Sequence, residues 1–323
     1  MHRNRRALAV LCTSVVLGVA VAIVPCPLQA GSELEQHLRN QYSGKILVLR
    51  GFYHGDRLSY DSTGSPVSGS AVSGDWTVDG FVRLTSLDLH GQRLTIQAER
   101  LSLGNTGQDF QFQQYFDKNK KKDKDEEEND KKEHRLRIEV EFDRITAEKA
   151  DAALSRIFLT AQDRLGELVP DYWKPCVLVA STGKGGKEYN ACAFPPEFAS
   201  IPGVVYSADE TTKPDEAGVG ETNASGGPIL RLGKGVTVPK VISQKEPEFS
   251  DPARRAKYQG VVVLSIVVDK TGQVRNIRIW KPLGFGLDQK AVETVSKWQF
   301  NPGTKDGEPV SVRLAVEVNF HLY

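Results

Sequence analysis

Two cysteines beyond the N-terminal stretch, Cys176 and Cys192, are the first residues whose type and spacing promise chemistry. In an oxidising compartment an isolated pair points to a disulfide rather than a metal site, with two buried free thiols as the alternative. Between them, Ser181-Thr182-Gly183-Lys184-Gly185-Gly186-Lys187 approaches a phosphate-binding loop. The pattern G-x-x-x-x-G-K-[ST] fails because Glu188 follows Lys187, so the segment reads as a glycine-rich hairpin tip. The histidines, His2, His37, His54, His90, His134 and His321, have no ligand spacing with each other or with a cysteine, which argues against zinc. There is no G-x-S-x-G, and no carboxylate pair stands out among 41 acids. No catalytic constellation, metal site or cofactor site emerges, and the chain is expected not to be an enzyme. Trp76, Trp173, Trp280 and Trp298 read as core or interface residues rather than ligand stackers.

The elements that would carry these residues belong to a chain of 323 residues, 39% hydrophobic and 26% charged, which is ordinary globular composition with room for two domains. Collagen, disulfide miniproteins and multi-span membrane proteins are excluded. The formal charge is +1, but Arg3, Arg5 and Arg6 fall in the first 30 residues, where no acid balances them. The remainder is close to neutral and offers no electrostatic footprint for nucleic acid.

That N-terminus has the layout of an export signal. A basic His2–Arg6 region precedes an aliphatic run from Ala7 to Val24, Pro25 and Pro27 follow, and Leu28-Gln29-Ala30 is a small-residue cleavage site. Residues 7–24 are also long enough to span a bilayer, so a cleaved signal and an inner-membrane anchor both fit. Arginines before the run and none just after it place the N-terminus inside and the rest outside, in the periplasm. Pro25 before Cys26 argues against a lipoprotein cleavage site.

Residues 31–198 read as a β-rich α+β domain without assigned chemistry. Residues 31–43 suit a short helix. Strand signals follow at Lys45–Tyr53 and along Asp75–Leu103, where Trp76 and Val78, Val82 and Leu84, Leu87 and Leu89, and Leu94, Ile96 and Ala98 alternate. Asp79-Gly80 and His90-Gly91 read as turns. Residues 117–135 hold eight acids and eight bases with no apolar residue, a composition expected to stay disordered. Alternation resumes at Leu136, Ile138, Val140 and Phe142, so the charge run reads as an enlarged hairpin connection from Phe110–Phe116 to Leu136–Phe142. Ala150, Leu154, Ile157, Phe158, Ala161, Leu165 and Leu168 then follow helical spacing, with Thr146 as the cap and Pro170 as the stop. Residues 199–235, rich in glycine and marked by Pro202, Pro214 and Pro228, read as a flexible linker.

From Val236 to Tyr323 the elements are sharper. Asp251–Lys257 suits a short helix. Val262, Leu264, Ile266 and Val268 alternate after Gly260, Asp269-Lys270-Thr271-Gly272 turns the chain, and Val274, Ile277 and Ile279 return. Leu287, Ala291, Val292, Val295 and Trp298 mark a helix with Asp288 near its N-terminus. Asn301-Pro302 stops it, Asp306-Gly307 turns, and Val312, Leu314, Val316, Val318 and Phe320 alternate along a last strand.

This stretch resembles the TonB C-terminal domain. The likeness rests on Pro239, Pro247-Glu248-Phe249, Ala253-Arg254, Gly260, Asp269 with Gly272, Leu287-Asp288, Ala291, Trp298-x-Phe300-x-Pro302 and Gly307-x-Pro309-Val310. It departs from the family where Ser250, not proline, follows Phe249. The resemblance implies an antiparallel three-stranded sheet with two helices on one face, so the whole chain is read as α+β. It also implies a function: an envelope energy transducer or adaptor that links an ExbB–ExbD type inner-membrane motor to outer-membrane TonB-dependent transporters. A transporter segment would add as a strand to an exposed sheet edge. The last strand is the natural edge, which makes Arg313, Ala315, Glu317 and Asn319 the candidate partner-binding residues, with Glu246 and Pro247 beside them. A homodimer through the same edge is the further partner this implies. A folded domain stands where TonB transducers usually carry a long proline- and charge-rich spacer. A periplasmic or secreted binding or structural module that reuses the fold without energy transduction is therefore the alternative.

Overall fold

The computed structural model describes residues 27–69, 71–105, 110–113, 134–180, 194, 196–204, 227–233 and 235–322. Residues 1–26 of the expected export signal, the charge run through residue 133 and Cys192 lie outside them, whereas the expected cleavage site at Leu28-Gln29-Ala30 falls within the first helix.

Helix α1 (Pro27–Tyr42) begins on a proline, whose missing N–H is no loss at a helix start. Its Leu38 is fully buried against the first sheet. That sheet takes β1 (Ile46–Val48), β3 (Arg57–Tyr60), β5 (Phe81–His90), β6 (Arg93–Asn105), β7 (Phe110–Gln113) and β8 (Arg135–Glu141), in the order β1-β5-β6-β8-β3 with β7 also on β6. A small ladder of β2 (Tyr53–His54) and β4 (Val72–Ser73) stands apart. The β5–β6 hairpin closes at His90 and Gly91 as expected, with His90 opposite Arg93 and Gly91 at φ 63°.

Four sequence expectations need correction in this half. Trp76–Asp79 is a helical turn, α2, not a strand: the Asp75 carboxylate accepts the Thr77 N–H at 2.8 Å and starts it. The helix over 150–168 is two pieces. Helix α3 (Ala147–Ile157), capped by Thr146, stops because Phe158 turns extended. There Phe158 bridges Leu49, and the Leu159 N–H donates to the Val48 carbonyl at 2.8 Å. Helix α4 (Leu165–Leu168) follows separately, and α5 (Lys174–Ala180) after it.

The third correction concerns the charge run. β7 and β8 do not pair with each other. Both pair antiparallel with β6, β8 opposite Arg93–Glu99 and β7 opposite Ser102–Asn105. The Arg100 N–H donates to the His134 carbonyl, on the β8 side. Leu103 and Asn105 use the other edge, because neighbouring residues in a strand face opposite edges. So β7 and β8 occupy one line of the sheet, and the charge run interrupts a strand instead of joining two.

The fourth correction is the linker, because both of its ends belong to the fold. Ile201 and Val204 are buried, and Ile229–Arg231 form strand β9.

The C-terminal part holds β10 (Lys240–Ser243), α6 (Asp251–Arg255), β11 (Gly260–Val268), β12 (Val274–Lys281), α7 (Leu287–Val295), β13 (Gln299–Asn301), β14 (Gly303–Lys305) and β15 (Glu308–Phe320). The antiparallel β12-β11-β15 sheet is present and the chain is α+β, but β14 and a parallel β9 extend that sheet to five strands. Ser250, where the family pattern departs, caps α6 through the Ala253 N–H and donates to the Phe285 carbonyl at 2.5 Å. Trp298 and Phe300 are core residues.

The two halves share one hydrophobic core, in which Trp76, Phe110, Trp173 and Phe198 join Val262, Ile266, Phe285 and Leu287. The backbone crosses the seam as well. Asn105 N–H donates to Leu283 O at 2.9 Å, Phe285 N–H to Leu103 O at 2.8 Å, and Gly284 pairs with Gly104.

Candidate docking edge

A sheet edge binds a strand only where its backbone groups are open, so the edges decide what this domain can do. On the β12 side, the Ile279 N–H donates to the Tyr172 carbonyl at 2.9 Å, and α5 lies against β12. The N-terminal half therefore covers that edge. On the other side, β15 pairs with β11 along Val312–Phe320. Its second edge is taken by β9 at Ser311–Arg313, while β14 pairs with β15 at Glu308–Val310. From Leu314 to Phe320, no strand among the described residues pairs on that second edge.

The expected site residues fall around this seven-residue opening. Ala315, Glu317 and Asn319 are exposed, while Val318 and Phe320 are buried and anchor the strand. Leu314 and Val316, expected to face inward with them, are half-buried. Arg313 does not belong to the open stretch: it is half-buried and in register with Arg231 of β9. Glu246 is exposed and Pro247 half-buried on the segment between β10 and α6. That segment is fixed at both ends. Trp298 Nε1 donates to the Lys245 carbonyl at 3.1 Å, and the Phe249 ring meets Phe320 edge-on at 5.5 Å. Phe249 thus brings the segment to the C-terminal end of β15. Cys176 is disulfide-bonded. Cys192, its expected partner, lies outside the described residues.

Sequence reasoning missed β9, which sits in a stretch read as linker; the Ile229-Leu230 pair beside Pro228 was its only signal. It also missed a group of acids at the seam between the halves. Asp288 is fully buried and accepts the Leu283 and Gly284 N–H groups at 2.8 and 2.6 Å. Burial nonetheless pushes its carboxyl up to about 7, helped by nearby Asp75. Burial also pushes Asp75 up to about 6. Asp79, buried beside them, meets His54 Nδ1 at 3.1 Å and Arg100 Nη1 at 3.2 Å. The hydrogen bond to Asp79 raises the His54 pKa. Thr77 Oγ1, which donates to Asp75, accepts the Gly286 N–H at 3.0 Å and links this group to the C-terminal half. His54, Asp75, Asp79, Ser250, Gln289 and Lys290 line a cavity of about 290 Å³ there.

Comparison with known proteins places the last quarter of the chain. Residues 245–322 match the family model described as Gram-negative bacterial TonB protein C-terminal. Protein TonB of Xanthomonas campestris pv. campestris (strain B100) is 38% identical over 77 residues, 24% of this chain and 34% of that protein. Protein TonB of Vibrio cholerae serotype O1 is 30% identical over 115 residues, 35% of this chain and 44% of that protein. The chain thus spans less than half the length of these curated relatives. A solution NMR structure of the Pseudomonas aeruginosa TonB CTD matches at 16% identity and a TM-score of 0.23, over 29% of this chain and 94% of that one. Residues 245–322 of this chain are thus similar to the C-terminal domain of TonB proteins.

Proposed function

We propose that the chain docks an extended segment of an outer-membrane TonB-dependent transporter on the Leu314–Phe320 edge of β15, working in the periplasm as an energy transducer or adaptor. The observation that carries this reading is the run of β15 from Leu314 to Phe320, with which no second-edge strand among the described residues pairs, in a domain that matches the TonB C-terminal family. Backbone pairing would supply affinity, and Ala315, Glu317 and Asn319, with Glu246 and Pro247 at the flank, would tune the choice of partner. Arg313 borders the opening. Anchored in the inner membrane by residues 7–24, the chain would couple to an ExbB–ExbD type motor; cleaved near Ala30, it would act as a soluble adaptor. A second copy on the same edge would give a homodimer.

One observation favours a second reading, a binding module without energy transduction. The N-terminal half packs directly on the domain and shares its core, where a transducer would carry a long spacer. The mass of the mature N-terminus separates the two readings, since a chain starting near Gly31 cannot itself transmit force from the inner membrane.

The docking edge is tested with peptides from the plug-proximal segments of outer-membrane transporters. Adjacent residues aim their N–H groups at opposite edges, so of Ala315→Pro and Val316→Pro one removes a donor from the open side. That variant is expected to keep its circular dichroism spectrum and lose peptide binding. Phe320→Ala, at a fully buried position, should instead cost about 3–5 kcal/mol of stability. If both proline variants keep fold and binding, the docking edge lies elsewhere.

A further inference from the structure

The opening on β15 ends where β9 begins, and β9 has the marks of a strand held loosely. It is three residues long, Ile229 and Leu230 are half-buried, and Arg231 is exposed. It runs parallel to β15, the less stable pairing per residue. Its register sets Arg231 beside Arg313. The chain then leaves through Gly233 at φ 104° and Gly235 at φ 82°, conformations that glycine adopts without strain. Beyond them it is held again: Thr237 N–H donates to Thr304 O at 2.8 Å, and Thr304 N–H to Thr237 Oγ1 at 2.7 Å. So β9 can leave β15 while the chain stays attached at β14.

We propose that β9 is an in-cis competitor that occupies the Ser311–Arg313 part of the docking edge and must leave before a partner strand longer than the open run can pair along β15. This rests on the docking reading above and adds a length rule to it. A strand rises about 3.3 Å per residue, so a peptide of about 7 residues fits Leu314–Phe320 and one of about 10 reaches Ser311. The longer peptide binds only the fraction of molecules in which β9 is detached, so its apparent affinity is reduced by that fraction.

The experiment compares two extended peptides cut from one transporter segment, about 7 and about 10 residues long, on the full exported chain by calorimetry. Leu230→Pro removes a backbone donor and the extended pairing of β9. It is expected to tighten binding of the longer peptide about tenfold and to leave the shorter one unchanged, with a wild-type thermal melt as the check on folding. Arg231→Glu, which sets opposite charges side by side, is expected to act the other way and weaken the longer peptide about threefold. If both variants bind both peptides as the wild type does, β9 does not compete and the docking reading stands alone. If neither peptide binds the wild type or Leu230→Pro, the docking reading falls, and the competitor role with it.

Discussion

At the scale of single residues, Asp288 shows how far a side chain can depart from what its position in the sequence suggests. Near a helix start a carboxylate is expected to serve the helix dipole in water. Here it is sealed in and holds the Leu283 and Gly284 N–H groups that shape the loop crossing to β6. Burial and the neighbouring Asp75 raise it, with Glu293 also acting on Asp75 and Lys290 and Glu293 on the same helix. A group raised in the fold contributes stability that is complete below its unfolded value, about 4 for a carboxyl, and lost as pH climbs through the folded value. For Asp75 and Asp288 that loss runs through about 6 and about 7. His54, also raised, acts in the same direction above its ordinary value. The depressed acids Asp61, Asp163 and Asp269 change their contribution only at lower pH. The melting temperature should therefore fall between pH 5 and pH 8, and Asp288→Asn should flatten that slope. An unchanged slope in the variant would place the effect on other groups.

At the scale of elements, what was legible depended on whether the signal was local. The β11 alternation, the Asp269–Gly272 turn and the Asp306-Gly307 hairpin are written in consecutive residues, and each sits where periodicity and turn chemistry put it. The α3 stripe was legible in its period but not in its length, because a distant strand, β1, draws Phe158 and Leu159 out of the helix. Strand alternation at Trp76 and Val78 misled because Asp75, a capping residue, outweighs two apolar neighbours. β9 was hidden because three residues carry no period. Nor could the continuity of β7 and β8 be read, since only register reveals it. On β6, Arg100 and Leu101 alone separate the partners of Gln113 and Arg135, whereas the chain has residues 114–134 between those two. Replacing 114–134 by two residues should join β7 to β8 as one strand, with the second new residue supplying the carbonyl that Arg100 uses. The expected result is a melting temperature within a few degrees of the parent, since surface insertions cost slowly growing entropy. A large loss of stability or aggregation would show that the charge run contributes to the fold.

At the scale of the whole molecule, the seam decides whether this is one cooperative unit or two. Composition breaks around residue 199 suggested two, and residues 205–226 lie outside the described structure. The described contacts argue for one. Beyond the Gly104–Gly284 bridge, the Tyr258 hydroxyl donates to the Asn105 carbonyl at 2.9 Å, and a single apolar cluster runs through both halves. Gly284 is the point where this can be tested with one atom. Its φ is +90°, and a Cβ there would meet the Leu103 carbonyl oxygen at 2.3 Å and Gly104 Cα at 2.9 Å. Gly284→Ala therefore adds a backbone clash across the seam to the strain of a left-handed residue, which alone costs about 1–3 kcal/mol. Gly307→Ala is the matched control: φ is +85°, and nothing lies within 4 Å of the added atom. If the halves fold together, calorimetry on the parent should give one transition whose calorimetric and van't Hoff enthalpies agree. Gly284→Ala should lower that whole transition by more than the control does, at about 2–4 °C per kcal/mol lost. Two transitions in the parent, with only the one belonging to residues 236–323 shifted by the variant, would mean the seam is a contact between independent domains and not part of a common core.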